Sequence, residues 1–181
     1  MAVKVKLQNV RLAFPKLFVK DQYGNYSATF IIEPNTPAFK SVESAIAQVV
    51  QEDLTGKKPA SDKICMRKSS DKGGDYAGFT ETNYALAANQ KVGFKPNQLI
   101  NRDKTPIESE NVLYPGCYVN AVVSIWGQDN GWGRRVNCDL VGVQFLKDGD
   151  RLGRASPSID DDDFEELPEL ESEGGEVSDF F

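Results

Sequence analysis

Cys117-Tyr118-Val119-Asn120-Ala121-Val122-Val123-Ser124-Ile125-Trp126, then Asn130-Gly131, then Val136-Asn137-Cys138-Asp139-Leu140, is the stretch that decides the fold. Before Asn-Gly the odd positions are apolar: Cys117, Val119, Ala121, Val123 and Ile125. After it the even positions are apolar: Val136, Cys138, Leu140 and Leu146. Strict alternation marks a strand with one buried face. Asn-Gly is the strongest short hairpin signal. A two-residue turn on Asn130-Gly131 brings both apolar sets onto one face. The opposite face then carries Tyr118, Asn120, Ser124 and Trp126 beside Arg135, Asn137 and Asp139. Trp126 falls directly or diagonally across from Arg135. A tryptophan there serves a second packing layer, a contact between subunits, or a flat platform for stacking.

The same alternation recurs upstream. Val3, Val5 and Leu7 share a face, and Val10, Leu12 and Phe14 continue it after a one-residue phase shift that predicts a bulge near Gln8-Asn9. Tyr23-Gly24-Asn25 reads as a turn, and the β-branched and aromatic run 26–33 as a strand. Asn35-Thr36-Pro37 is a helix start. Phe39, Val42, Ile46, Val49 and Val50 then recur at helical spacing to about Leu54, with Gly56 as the stop. Further strands are expected at 63–68 and near 82–89. Five or six antiparallel strands and one packed helix make a mainly β chain. A small closed or half-closed β-barrel is the first expectation, and a sheet-and-helix sandwich the second.

Charge divides the 181 residues into two blocks. Residues 1–156 hold all 21 Lys and Arg against 16 acids, whereas residues 157–181 hold eleven acids and no base. The net charge of −6 thus joins a mildly basic body to a strongly acidic tail. With few apolar residues and charge of one sign, the tail is expected to be disordered. The expected division is a domain at 1–155 and an acidic tail at 156–181 ending Asp179-Phe180-Phe181. Those three residues are candidates for docking into an apolar, basic-rimmed pocket on a partner. The tail itself can mimic a nucleic-acid backbone at high effective concentration.

The absence of histidine excludes a His base and His-bearing metal sites. Cys65, Cys117 and Cys138 are widely spaced without a CxxC, which suits buried free thiols. There is no phosphate-binding GxxxxGK[ST] loop and no GxSxG elbow. The chain is therefore expected to be neither an enzyme nor a carrier of a cofactor or metal. No stretch reaches a membrane span, and the alternating Met1–Lys6 segment lacks a secretory apolar core, so a cytoplasmic location is expected.

Basic and aromatic residues interleave across 57–104 without aliphatic periodicity. On a β-barrel that pattern suits single-stranded nucleic acid, with cations on phosphates and rings under unpaired bases. The stacking candidates are Tyr76, Phe79, Tyr84 and Trp126. The phosphate candidates are Lys4, Lys6, Arg11, Lys68, Lys72, Lys91, Lys95, Arg134 and Arg135.

Three ordered sets of residues carry a resemblance. The first is Asn9-Val10-Arg11-Leu12-Ala13-Phe14 followed by Tyr26–Ile32. The second is Gly78-Phe79-Thr80-Glu81-Thr82-Asn83-Tyr84 through Asn89, with Lys95-Pro96 and Ile107. The third is Tyr114-Pro115-Gly116-Cys117-Tyr118 with Leu140–Phe145 and Asp148-Gly149. In this order they resemble the bacteriophage single-stranded DNA-binding protein family with an OB-fold, formerly a phage domain of unknown function. The resemblance covers most of 1–155. It implies an OB-like barrel that coats single-stranded DNA in phage replication or recombination, in the cytoplasm of a bacterial host. It also implies an acidic tail that recruits replication or recombination proteins. An open barrel edge would allow a homodimer or cooperative assembly on DNA. The turn Gly127–Arg135, with its extra Trp and Arg pair, departs from the family pattern. A strand-annealing recombination protein, a virion or assembly protein that binds no nucleic acid, and, disfavoured by the missing histidine and motifs, a divalent-metal nuclease using Asp and Glu are the alternative readings.

Overall fold

The computed structural model describes residues 2–72, 78–131, 133–152 and 164–168. Its elements in chain order are β1 (Val3–Lys16), β2 (Tyr26–Ile32), α1 (Pro37–Asp53), β3 (Met66–Lys68), β4 (Tyr84–Gln90), β5 (Leu99–Ile100), β6 (Tyr118–Asn130) and β7 (Gly133–Lys147). β1 pairs antiparallel with β2 on one side and β6 on the other. β2 continues to β4, and β6 to β7. β4 and β7 then meet in parallel at Asn89 and Asp139, so five strands form a ring. The short β3 and β5 hang on β4 and β7. The fold is thus mainly β, a ring of strands rather than a regular barrel, with seven strands where five or six are expected from sequence.

The core lies inside the ring. Leu7, Leu12, Phe30, Leu86, Val119, Val123, Ile125 and Leu140 are fully buried there. α1 closes one end through Ala38, Val42, Ala45 and Val49. Its start is set by Thr36, whose Oγ1 accepts from Phe39 N at 3.2 Å, with Pro37 at the first position. Gly56, at φ +77°, stops the helix by donating to Val50 O at 2.9 Å.

The expected bulge is present, and other local expectations shift by a residue or two. The bulge sits at Gln8-Asn9: Asn9 adopts φ +55°, and its N–H donates to Asn120 Oδ1 at 3.0 Å. Phe14 does not continue the inward set. A second irregularity at 13–16 gives it φ +46° and leaves it half exposed, with Ala13 buried instead. Asn130 pairs with Gly133, so the hairpin turns one residue later than Asn130-Gly131. The partners move by an even number, so the faces keep their assignment. A further bulge near Val141-Gly142 flips the phase, putting Val143 rather than Leu146 fully inside. The expected free thiols Cys65, Cys117 and Cys138 are buried.

Residues from the quoted sets form a latch at the end of β7. Tyr114 Oη donates to Asp148 Oδ1 at 2.7 Å and accepts from Gly149 N at 3.1 Å. Arg11 donates from Nε to Gly116 O at 3.1 Å and from Nη2 to Asp150 O at 2.6 Å. Gly116 has φ +110°, and a Cβ there would run into the Asp150 carbonyl. Asn83, buried, ties the loop before β4: Oδ1 accepts from Thr80 N at 3.1 Å, and Nδ2 donates to Gly78 O at 2.9 Å.

Gly116→Ala should therefore cost about 3 kcal/mol or more by chemical denaturation. Gly131→Ala, with open space around it and ordinary φ, should stay within about 0.5 kcal/mol. Equal effects would contradict the latch. The β1–β2 turn gives a second prediction. Asp21 Oδ1 accepts from Tyr23 N at 2.9 Å and Asn25 N at 3.0 Å, and Oδ2 from Ser27 Oγ at 3.1 Å. These bonds, Asn25's foremost, hold its carboxyl below the ordinary value of 3.8. Ordering of the turn by Asp21 is then full above about pH 5 and lost as pH falls through the lowered pKa. Amide exchange at Tyr23 and Asn25 should lose that acid dependence in Asp21→Asn.

Candidate nucleic-acid interface

The face outside the ring can be read row by row from strand register. Cross-strand partners point to the same side. Lys4 on β1 lies opposite Ser124 on β6, Ser124 opposite Asp139 on β7, and Asp139 opposite Asn89 on β4. The next rows are Trp126 with Asn137, and Gln128 with Arg135. Trp126 is thus diagonal to Arg135. Lys6 lies one row the other way, opposite Val122.

Where β7 meets β4 the outer surface sinks into a groove of about 650 Å³. The two strands share one paired position, Asn89 with Asp139. Beside it the chain at Ile64-Cys65 joins β7, with Cys65 N donating to Val136 O at 3.0 Å. Cys138, on the same strand, is held well above the usual thiol pKa by a hydrogen bond with Cys65 and by burial. Burial pushes Cys117 up to about 11. Neither group is a nucleophile at neutral pH. The groove is cationic: Lys63, Arg67, Lys91 and Arg135 line it against Asp62 and Asp139.

The wall holds an unusual set of polar atoms. Among the described residues, four buried side-chain polar atoms have no hydrogen-bond partner, and three of them belong to groove residues: Arg67 Nε, Gln90 Oε1 and Trp126 Nε1. The Gln90 amide is oriented by its Nε2, which donates to Leu140 O at 3.1 Å. Its oxygen is therefore the free acceptor. Unpaired buried groups are rare and point to strain, water or a ligand.

The expected site residues fall into several places. Trp126, Arg135 and Lys91 meet in the groove. Lys4 and Lys6, both exposed, extend the same outer face across β6 onto β1. Lys95 is exposed on the segment beyond Lys91. Arg134 pairs with Asp129 at 3.5 Å near the hairpin end. Arg11 is engaged in the latch and lies 5.7 Å from the Tyr118 ring. Tyr84 packs on Phe39 of α1 at 4.7 Å, and Phe79 lies edge-on to Phe14 at 5.9 Å, both away from the groove. Lys68 is exposed on β3 beside Tyr84. Lys72 ends a single 3₁₀ turn, Ser69–Lys72. Tyr76, Asp179, Phe180 and Phe181 lie outside the described residues. Lys63, Arg67, Asn89 and Gln90 also line the groove and are not among the residues expected from sequence. The basic run 57–72 signalled the first two, and a Gln ending the inward set after Ala88 signalled the last.

The family described as "Enterobacter phage Enc34, ssDNA-binding protein" matches residues 3–175. Protein p50 of Acyrthosiphon pisum secondary endosymbiont phage 1 is 32% identical, over 94% of this chain and 97% of its own. Among solved structures, the single-stranded DNA-binding protein from bacteriophage Enc34 superposes with a TM-score of 0.69 at 23% identity, covering 86% of this chain and 87% of that one. The same protein in complex with ssDNA gives 0.68 at 22% identity, over 83% and 89%. gp2.5, a single-stranded DNA-binding protein encoded by bacteriophage T7, gives 0.52 at 14%, over 95% and 100%. At these identities the structural likeness is one of fold.

The unpaired indole N–H yields a stability prediction. Trp126→Phe keeps a ring and removes the buried donor, so its melting temperature should equal or exceed that of the original chain. Trp126→Ala should lose about 1–2 kcal/mol of ring contact. Equal losses in both variants would mean that the N–H has a partner.

Proposed function

Because the chain belongs to the phage single-stranded DNA-binding family represented by the Enc34 protein, we propose that it binds single-stranded DNA, without strong sequence preference, in the groove along the β4–β7 seam. The observation that carries this reading is the coincidence of three unpaired buried polar atoms, a tryptophan and four cations in one groove. Lys63, Arg67, Lys91 and Arg135 engage phosphates, and the Trp126 ring stacks a base. Stacking is worth about 1–3 kcal/mol per base and tolerates any base, because each has a π-face. Duplex DNA exposes no base face, so this contact favours single strands. Lys4 and Lys6 continue the charged track over β6.

We assign it the role of coating single-stranded DNA during phage replication or recombination. We assign the body to 1–155 and the acidic tail to 156–181. The eleven acids of the tail compete with DNA for the basic face, and Asp179, Phe180 and Phe181 dock replication or recombination proteins. Among the described residues no helix is long and apolar enough to cross a membrane.

Anisotropy of a labelled oligo-dT of about 30 nucleotides, at about 50 and 300 mM salt, tests the reading. Log K should fall with log salt at a slope of about −0.7 per phosphate contacted. Excess duplex should compete weakly, and a chain ending at residue 156 should bind more tightly. No binding at low salt would overturn the function. Unchanged affinity after truncation would overturn the tail's part in it.

A further inference from the structure

A second cleft lies beside the groove. Its volume is about 570 Å³, and Phe18, Tyr26, Phe94, Lys95, Pro96 and Pro106 line it. It opens at the end of the ring away from α1. Ile32 and Tyr84 pair at the helix end of β2 and β4, where Phe39 meets Tyr84; Tyr26 and Gln90 pair at the other end. The two clefts share a wall. Asn25 lines the groove and Tyr26 the cleft; Val92 lines the groove and Phe94 the cleft; Gln98 lines the groove and Leu99 the cleft. The wall is braced by Lys95 N, which donates to Gln98 Oε1 at 2.6 Å.

The cleft has what a base and its phosphate require. Tyr26 and Phe94 meet edge-on at 5.9 Å, and both are half-buried. Gly93, at φ +104°, lies against the Tyr26 ring: a Cβ there would sit 3.4 Å from it. Lys20 Nζ lies 5.8 Å from the centre of the same ring, and Lys95 stands exposed at the rim. Lys20 leads into the turn that Asp21 fastens with three hydrogen bonds, so its backbone is held in place.

We infer that this aromatic cleft is a second nucleotide station, where a base of the strand leaving the groove stacks against Tyr26 and Phe94 while Lys20 and Lys95 hold the flanking phosphates. The inference rests on the groove being a single-stranded DNA site and extends it. The strand then runs from the seam over Lys91 and Gly93 to the mouth of the ring.

The test is a length series of oligo-dT, from about 4 to about 16 nucleotides, the span of site sizes for one OB fold. The full chain is compared with Phe94→Leu and with the double variant Lys20→Gln, Lys95→Gln. Phe94→Leu keeps an apolar side chain, and the lysines are surface groups, so folding is checked by melting temperature. The longer oligomers should bind Phe94→Leu about 5- to 100-fold more weakly, and the shortest should bind it unchanged. The double variant should lose about 1.4 from the salt slope on long oligomers, at about 0.7 per phosphate. If the unaltered chain binds no oligomer, the proposed function fails and this inference with it. If it binds but the variants match it at every length, or lose affinity equally at every length, the second station alone is overturned.

Discussion

The ring of strands is closed by one thin parallel seam. β1, β2 and β6 are joined by extended antiparallel ladders, whereas β4 and β7 share a single paired position, Asn89 with Asp139. Ile64 and Cys65 complete the closure by adding one bridge and one N–H to Val136. Parallel strands that meet once and diverge leave space outside the ring. The groove is that space. Trp126 and Arg135 come from the β6–β7 hairpin, and Lys63, Arg67, Gln90 and Lys91 from β4 and the segments beside it; the seam brings the two groups to one groove.

The residues that carry the family resemblance mostly do other work. Arg11, Tyr114, Gly116, Asp148 and Gly149 fasten the end of β7 to the 114–117 turn and to β1. Asn83 fastens the loop before β4. These contacts hold the two strands of the seam at their far ends. A chain can therefore resemble a family through its scaffold, while the chemistry of its groove rests on Lys63, Arg67, Gln90 and Trp126.

Local pattern carried much of the fold. The alternation in β6 and the first half of β7 placed Trp126, Asn137 and Arg135 on the outer face, and the even shift of the turn left that intact. Thr36 and Gly56 marked the ends of α1 through their own hydrogen bonds. What local pattern missed has physical causes. The bulge near Val141-Gly142 reverses the faces with no turn residue except a single glycine to announce it. Phe14 leaves the core because its backbone adopts a left-handed conformation, rare for an aromatic. Lys63 and Arg67 reach the groove because Ile64 bridges to Val136 and Arg67 pairs with Ala85 on β4, contacts that periodicity does not report. Tyr84 and Phe79 belong to aromatic pairs whose partners, Phe39 and Phe14, lie in other elements.

The central claim, that single-stranded DNA occupies the seam groove, is tested most directly by the fluorescence of Trp126. The chain has two tryptophans, so Trp132→Phe leaves Trp126 as the sole reporter. Titration of that variant with unlabelled oligo-dT should quench the emission saturably, with a midpoint matching the anisotropy midpoint of the same variant. Binding by anisotropy with no change in Trp126 emission would place the DNA elsewhere on the protein and contradict the account.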